Sequence, residues 1–197
     1  MNKLIGGGLL AALLLVSVPR FSSAAGRVIS VDGALTAGGR ALTAGDELPD
    51  AEIRLATGTA TLGIEGGRFL LHGPAIFTPR KSSFRLTLGS LLSVLKHRPG
   101  LRFSVRTPSA VAAVRGTDFF VEVVPSGEVQ VCICRGELEV SAKGMKTVPM
   151  AAEHHLPFRF WKTASGVTHD DAPLKGGHGH NDAELDVLRG LLAADKP

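Results

Sequence analysis

An all-β fold is what this chain predicts, an antiparallel β-sandwich or short β-roll of many short strands, and three observations predict it. Apolar and polar residues alternate with period two in run after run: Leu101, Phe103 and Val105 point one way, and Arg102, Ser104 and Arg106 the other. Turn residues interrupt these runs about every 8–12 positions, the spacing of sandwiches and rolls, and 24 glycines match that number of turns. Aromatic residues are sparse. With no Tyr and only Trp161, the core is built from small side chains, and an aromatic platform for a ligand finds little material.

The first segment stands apart. Lys3 is a charged start, Leu4–Val18 an apolar run and Ser23-Ala24-Ala25 a small-residue cleavage site, the layout of a secretory signal peptide over residues 1–25. The apolar run is shorter than the roughly 20 residues of a membrane span. The expectation is an exported protein cleaved near Ala25, with no transmembrane segment in the mature chain. Removing Lys3 and Arg20 takes the formal charge from +4 to +2, too near balance for a general attraction to polyanions.

From Gly26 the predicted strands follow one another. Gly26–Leu35 alternates up to an Asp32-Gly33 turn. Ala37–Arg40 is a second turn, and Leu42 with Ala44–Leu48 makes a short rung. Glu52–Leu55 and Thr57–Ile64 lead to the turn Glu65–Gly67. Arg68–Leu71 is extended and ended by Gly73-Pro74. Ala75–Pro79, Phe84–Leu88 and a rung opened by Gly89 come next. Thr107-Pro108 ends the strand that begins at Leu101, because proline cannot donate to a ladder. Ala110–Val114 is small and apolar enough to cross a core. Gly116 frees the backbone for a turn, and the next strand sets Phe119, Val121 and Val123 against Phe120, Glu122 and Val124. Pro125–Glu128 is a hairpin turn, and Val129–Cys134 and Glu137–Ser141 complete the series.

The string Thr107, Pro108, Ala110, Ala112, Val114, Arg115, Gly116, Thr117 and Phe119 closely resembles the core signature of the FecR domain family, and the resemblance extends diffusely over residues 26–143. It implies a non-enzymatic periplasmic module that signals or scaffolds through contact with another envelope protein. Full-length regulators of that family add a cytoplasmic segment that controls a sigma factor, joined through a membrane helix. Here the residues before Gly26 read as a signal peptide alone, so the resemblance implies the domain and its binding role without anti-sigma activity. Thr107, Pro108, Arg115, Gly116, Thr117 and Phe119 are then structural residues of the signature turn.

No catalytic motif is present: no Gly-x-Ser-x-Gly elbow, phosphate loop or His-Glu-x-x-His helix. Asp118 beside Arg115 reads as a turn-stabilising ion pair or hydrogen bond. Nine cations (Arg68, Arg80, Lys81, Arg85, Lys96, Arg98, Arg102, Arg106, Arg115) fall in a stretch without acids, preceded by Asp32, Asp46, Glu47, Asp50, Glu52 and Glu65. That band would suit an acidic partner, a wall polymer or lipid head groups, or folding brings the acids alongside it. Nucleic acid is not an expected partner of an exported chain.

Cys132 and Cys134 share one face of a strand with diverging Cβ vectors, so a disulfide between them would be strained. They read as small core residues, with a C-x-C redox pair or soft-metal site as the alternative. Residues 144–180 read as an extended segment with His154, His155, His169, His178 and His180 among carboxylates. Those histidines are candidate ligands for a transition metal or haem, against an alternative of weak adventitious binding or a solvated tail. Asn181-Asp182-Ala183-Glu184 is a capping box opening a helix over 181–193. Its apolar stripe, Leu185, Leu188, Leu191 and Leu192, would dock on its own domain or on a partner. The sequence thus supports two functions, a protein-binding signalling or scaffolding module and a periplasmic metal or haem binder.

Overall fold

A computed structural model describes residues 24–64, 66–97, 99–100, 102–175 and 179–195; all of the expected signal peptide but Ala24 and Ala25 lies outside them. Among the described residues thirteen strands join in one sheet, followed by one helix. The long strands β1 (Gly26–Ala37), β4 (Ile53–Ile64), β5 (Gly67–Arg80) and β6 (Ser83–Leu95) form an antiparallel meander, with the two-residue strands β2 (Arg40–Ala41) and β3 (Glu47–Leu48) on β1. Next come β7 (Phe103–Arg106), β8 (Val111–Val114), β9 (Asp118–Val123) and β10 (Val129–Ser141). The series ends with β11 (Val148–Ala152), β12 (Leu156–Thr163), β13 (Gly166–His169) and the helix α1 (Asp182–Ala194).

The sheet curls because two strands change partners along their length. The start of β6 pairs in parallel with β7, and its residues 89–94 pair with β9. Likewise β10 lies against β9 over residues 129–135 and against β8 over 138–141. With β7 paired to β8, the circuit β6–β7–β8–β10–β9 closes on itself, which removes those edges as a roll does. Gly89 and Gly136 sit at the two switch points. At Gly89, φ is +92° and a Cβ would lie 2.6 Å from the Pro74 carbonyl oxygen, so only glycine lets β6 bend so close to β5.

Several glycines read as turns therefore prove to be bends. Strand β5 runs unbroken through Gly73-Pro74, β6 through Gly89 and β1 through Gly33, each with a register shift or change of partner nearby. A bulge absorbs the irregular residue and the ladder resumes. The passage Ala110–Val114 supplies strand β8. The histidine-containing segment is not merely extended: β11 and β12 pair with β10, and β13 pairs with β12. The free outer edge of β10, unreadable from local pattern, is what orders them.

Alternation on the central strands serves two cores. Inside the roll, Leu91, Phe119, Val121, Val131 and Ile133 join the main cluster, in which Phe77, Phe84, Phe69 and Phe103 follow ring upon ring at 5.0–5.9 Å. On the outer face Leu92, Val94, Phe120, Cys132 and Cys134 form a second cluster, with Leu70 at its margin, capped by Leu185, Leu188 and Leu192 of α1. Burial on both faces explains why these strands are almost continuously apolar. The leucine stripe, weighed above as a partner contact, here covers the chain's own sheet, while Leu191 is half-buried at its edge.

Candidate metal centre

The signature residues build the corner that closes the circuit. Thr107 Oγ1 donates to the Ala110 carbonyl at 2.8 Å and accepts from the Ala110 N–H at 3.0 Å, holding the turn that Pro108 enters. Thr117 Oγ1 donates to the Glu137 carbonyl at 2.6 Å, tying the turn before β9 to β10. Phe119 is fully buried. Arg115 is exposed and offers its carbonyl to His97 Nδ1 at 3.5 Å.

Asp118 does not pair with Arg115. Its buried carboxylate accepts from Arg189 Nε at 2.9 Å and Nη2 at 2.7 Å, with Arg135 at 3.3 Å. Residue 189 lies on α1, so the signature strand is bound to the C-terminal helix. The helix end is fastened as well: Asp195 forms an ion pair with Arg68, and Lys96 Nζ donates to the Asp195 carbonyl at 3.4 Å, where a helix favours cations. Burial lowers the Arg68 pKa. In the cationic band, Arg80 meets Asp50 at 3.3 Å.

The helix start meets the two cysteines. Strand β10 points Cys132 and Cys134 outward, away from the main core, and both are buried. His155 comes from the turn between β11 and β12, and its Nδ1 lies 3.8 Å from Cys132 Sγ. His180 precedes the N-cap Asn181, whose capping box with Glu184 is formed, and its Nε2 lies 3.4 Å from Cys134 Sγ. The His180 ring rests against Phe120 and His155, at 5.0 and 4.9 Å. One donor atom from each of Cys132, Cys134, His155 and His180 falls within 4.8 Å of the others, an ion-sized space rather than a slot for the haem plane.

Both thiols and the His155 imidazole depart from their ordinary acidities. Cys132 is pulled down to about 4, first by the hydrogen bond from Cys134 and then by His180 and His155, against the effect of burial. Cys134 is pushed up by that same bond and by burial, so the pair retains one proton on Cys134. Burial opposes the charged form of His155, but Asp182 and Cys132 outweigh it and raise its pKa. His155 Nε2 lies 2.8 Å from Asp182 Oδ1. A carboxylate only accepts, so Nε2 carries the proton, and in the imidazolium that the raised pKa favours, Nδ1–H faces the Cys132 sulfur as a donor. That bond also holds Asp182 below the usual carboxylate range.

Of the five candidate histidines, His155 and His180 enter this group. His154 is exposed with its ring 4.5 Å from that of His155, and forms with His155 and Asp182 a second, more open group. His169 lies elsewhere, its Nδ1 2.6 Å from the Asp170 carbonyl and its ring against Phe160. His178 falls outside the described residues. The reading of residue types separated the cysteines from the histidines. The signal that could have joined them is C-x-C on the face opposite Val131 and Ile133, with a histidine just before a capping box.

A β-roll closed by an Arg-Gly-Thr corner is clasped by its own C-terminal helix, and no helix among the described residues is long and apolar enough to cross a bilayer. Residues 74–139, which cover most of the closed circuit, match the family described as FecR protein. Two crystal structures of a candidate anti-sigma factor from Parabacteroides distasonis ATCC 8503 share the fold, with TM-score 0.53 and 14% identity, covering 62% of this chain and 60% of that one. The match thus spans less than two thirds of the solved protein. No curated protein matches the chain.

Proposed function

We propose that the protein is an exported, non-enzymatic FecR-domain module of the cell envelope, periplasmic once its leader is removed, which signals or scaffolds by binding another envelope protein. The observation that carries this reading is an open groove of about 830 Å³ beside the signature corner. Its walls are His97, Arg102 and Arg115, and its floor is the outer face of β8, β10 and β11 with Glu137 and Glu139. Charges of both signs over a shallow apolar floor suit a polypeptide segment, whose side chains can answer each sign in turn.

Site-specific photocrosslinking in cells tests it. A photoreactive residue at Glu139 should trap one envelope protein, and Arg102→Glu with Arg115→Glu should abolish that product. The same residue at exposed Thr43, which does not line the groove, should trap none. Equal products from both positions, or a Glu139 product indifferent to the two arginines, would remove the groove from consideration.

A further inference from the structure

The Cys132–Cys134–His155–His180 group has a geometry that thiol–imidazole hydrogen bonding alone does not require. A tetrahedral zinc ion with Zn–S of about 2.3 Å and Zn–N of about 2.0–2.1 Å sets sulfur and nitrogen ligands about 3.6 Å apart. The two sulfur–nitrogen separations, 3.4 and 3.8 Å, bracket that value, and all four donors lie within 4.8 Å of one another. The donors come from three places distant in sequence: strand β10, the β11–β12 turn and the residue before the N-cap of α1. Asp182 stands behind His155 on Nε2 at 2.8 Å, the carboxylate–histidine arrangement that orients metal-ligating imidazoles.

We propose that Cys132, Cys134, His155 and His180 bind one Zn²⁺ in a closed tetrahedral site that staples the C-terminal segment to the roll. Two thiolates and two imidazoles are the donor set of tetrahedral zinc. With four protein ligands no position is left for water or substrate, so the site is structural. Phe120, Leu92 and Val94 border the cysteines, and this apolar surround keeps solvent from the ion. The C-x-C spacing suits the role, because thiols two apart on a strand face the same ion yet make a poor disulfide.

The test is metal content and spectroscopy of the full chain, purified under mild reductant from cells given both zinc and copper. One zinc per chain should survive gel filtration. Replacement by Co²⁺ should give the intense visible bands of a tetrahedral site together with a thiolate-to-cobalt charge-transfer band. His180→Ala should weaken zinc binding at least tenfold in competition with a chelating dye and collapse the tetrahedral bands. Asp182→Asn should weaken it about tenfold with the cobalt spectrum unchanged, as loss of an orienting carboxylate does. His154→Ala should change neither. Cys132→Ser and Cys134→Ser should also lose the zinc, and should either fail to fold, the histidine and aspartate variants still decide the matter. A zinc-free protein, a cobalt spectrum without the thiolate band, copper retained in place of zinc, or His180→Ala binding like the parent would each overturn the proposal.

Discussion

Replacing Arg189 by Met removes the guanidinium that binds the signature strand to the helix while keeping much of the apolar stem. Asp118 is only 4% exposed and holds two hydrogen bonds from Arg189, at 2.7 and 2.9 Å. Breaking a buried pair by removing one partner costs about 3–5 kcal/mol. Two features reduce that here. The Arg189 side chain is 33% exposed, and Arg135 remains 3.3 Å from the same oxygen. A loss of about 2–3 kcal/mol is therefore expected for Arg189→Met. Asp118→Asn keeps one acceptor and leaves Arg189 with Asp186, so its cost should be about 1–2 kcal/mol. The double variant should lose no more than Arg189→Met alone, giving a coupling energy of about 1–2 kcal/mol. Urea unfolding followed by far-ultraviolet circular dichroism measures all four corners of the cycle. Additivity to within about 0.5 kcal/mol would refute the claim that this pair joins the signature corner to the helix.

Leu188→Ala, at a side chain 1% exposed beneath the helix, should cost about 2–4 kcal/mol in the same urea assay, whereas Val187→Ala, at 63% exposure, should stay within about 0.5 kcal/mol of the parent. Gly116→Ala meets both a left-handed φ of +67° and a Cβ position 2.4 Å from His97 Cα, so a loss of about 3 kcal/mol or more is expected, read as an earlier thermal midpoint. Asp170 is raised by burial but lowered more by bonds from the Arg159 side chain and N–H, leaving its pKa below the usual carboxylate range. Its folded value being the lower one, its stabilisation is complete above the unfolded pKa of about 3.9 and is lost as pH falls through the folded value. The stability gap between parent and Asp170→Asn should accordingly narrow on acidification from neutrality, and a gap independent of pH would contradict the assignment.

Local pattern made a good part of this legible. The alternation of Phe119, Val121 and Val123 against Phe120 announced the β9 strand, and the Asn181–Glu184 capping box announced the helix. Both are written within a few residues, where side-chain period and cap chemistry suffice. The circuit of strands was not legible, since pairing β6 with both β7 and β9 depends on where a glycine bends a continuous ladder. Nor was the four-residue group: Cys132 looked like a core residue because it is one, and only its opposite-face neighbours reveal the company it keeps. Proximity in the chain suggests Arg115 as the partner of Asp118, but Arg115 is exposed in the turn between β8 and β9 while Asp118 is buried at the start of β9, and the true partner lies 71 positions away.

The sequence by itself determined the β-rich class, the FecR signature, the capped terminal helix and the lack of familiar catalytic motifs, because each is encoded in composition or in spacings shorter than a strand. Tertiary structure alone decided that the helix closes over the outer face of the roll and that two histidines arrive beside two cysteines. Those facts depend on which apolar face remains uncovered once the strands have paired, and that is a property of the whole sheet rather than of any segment within it.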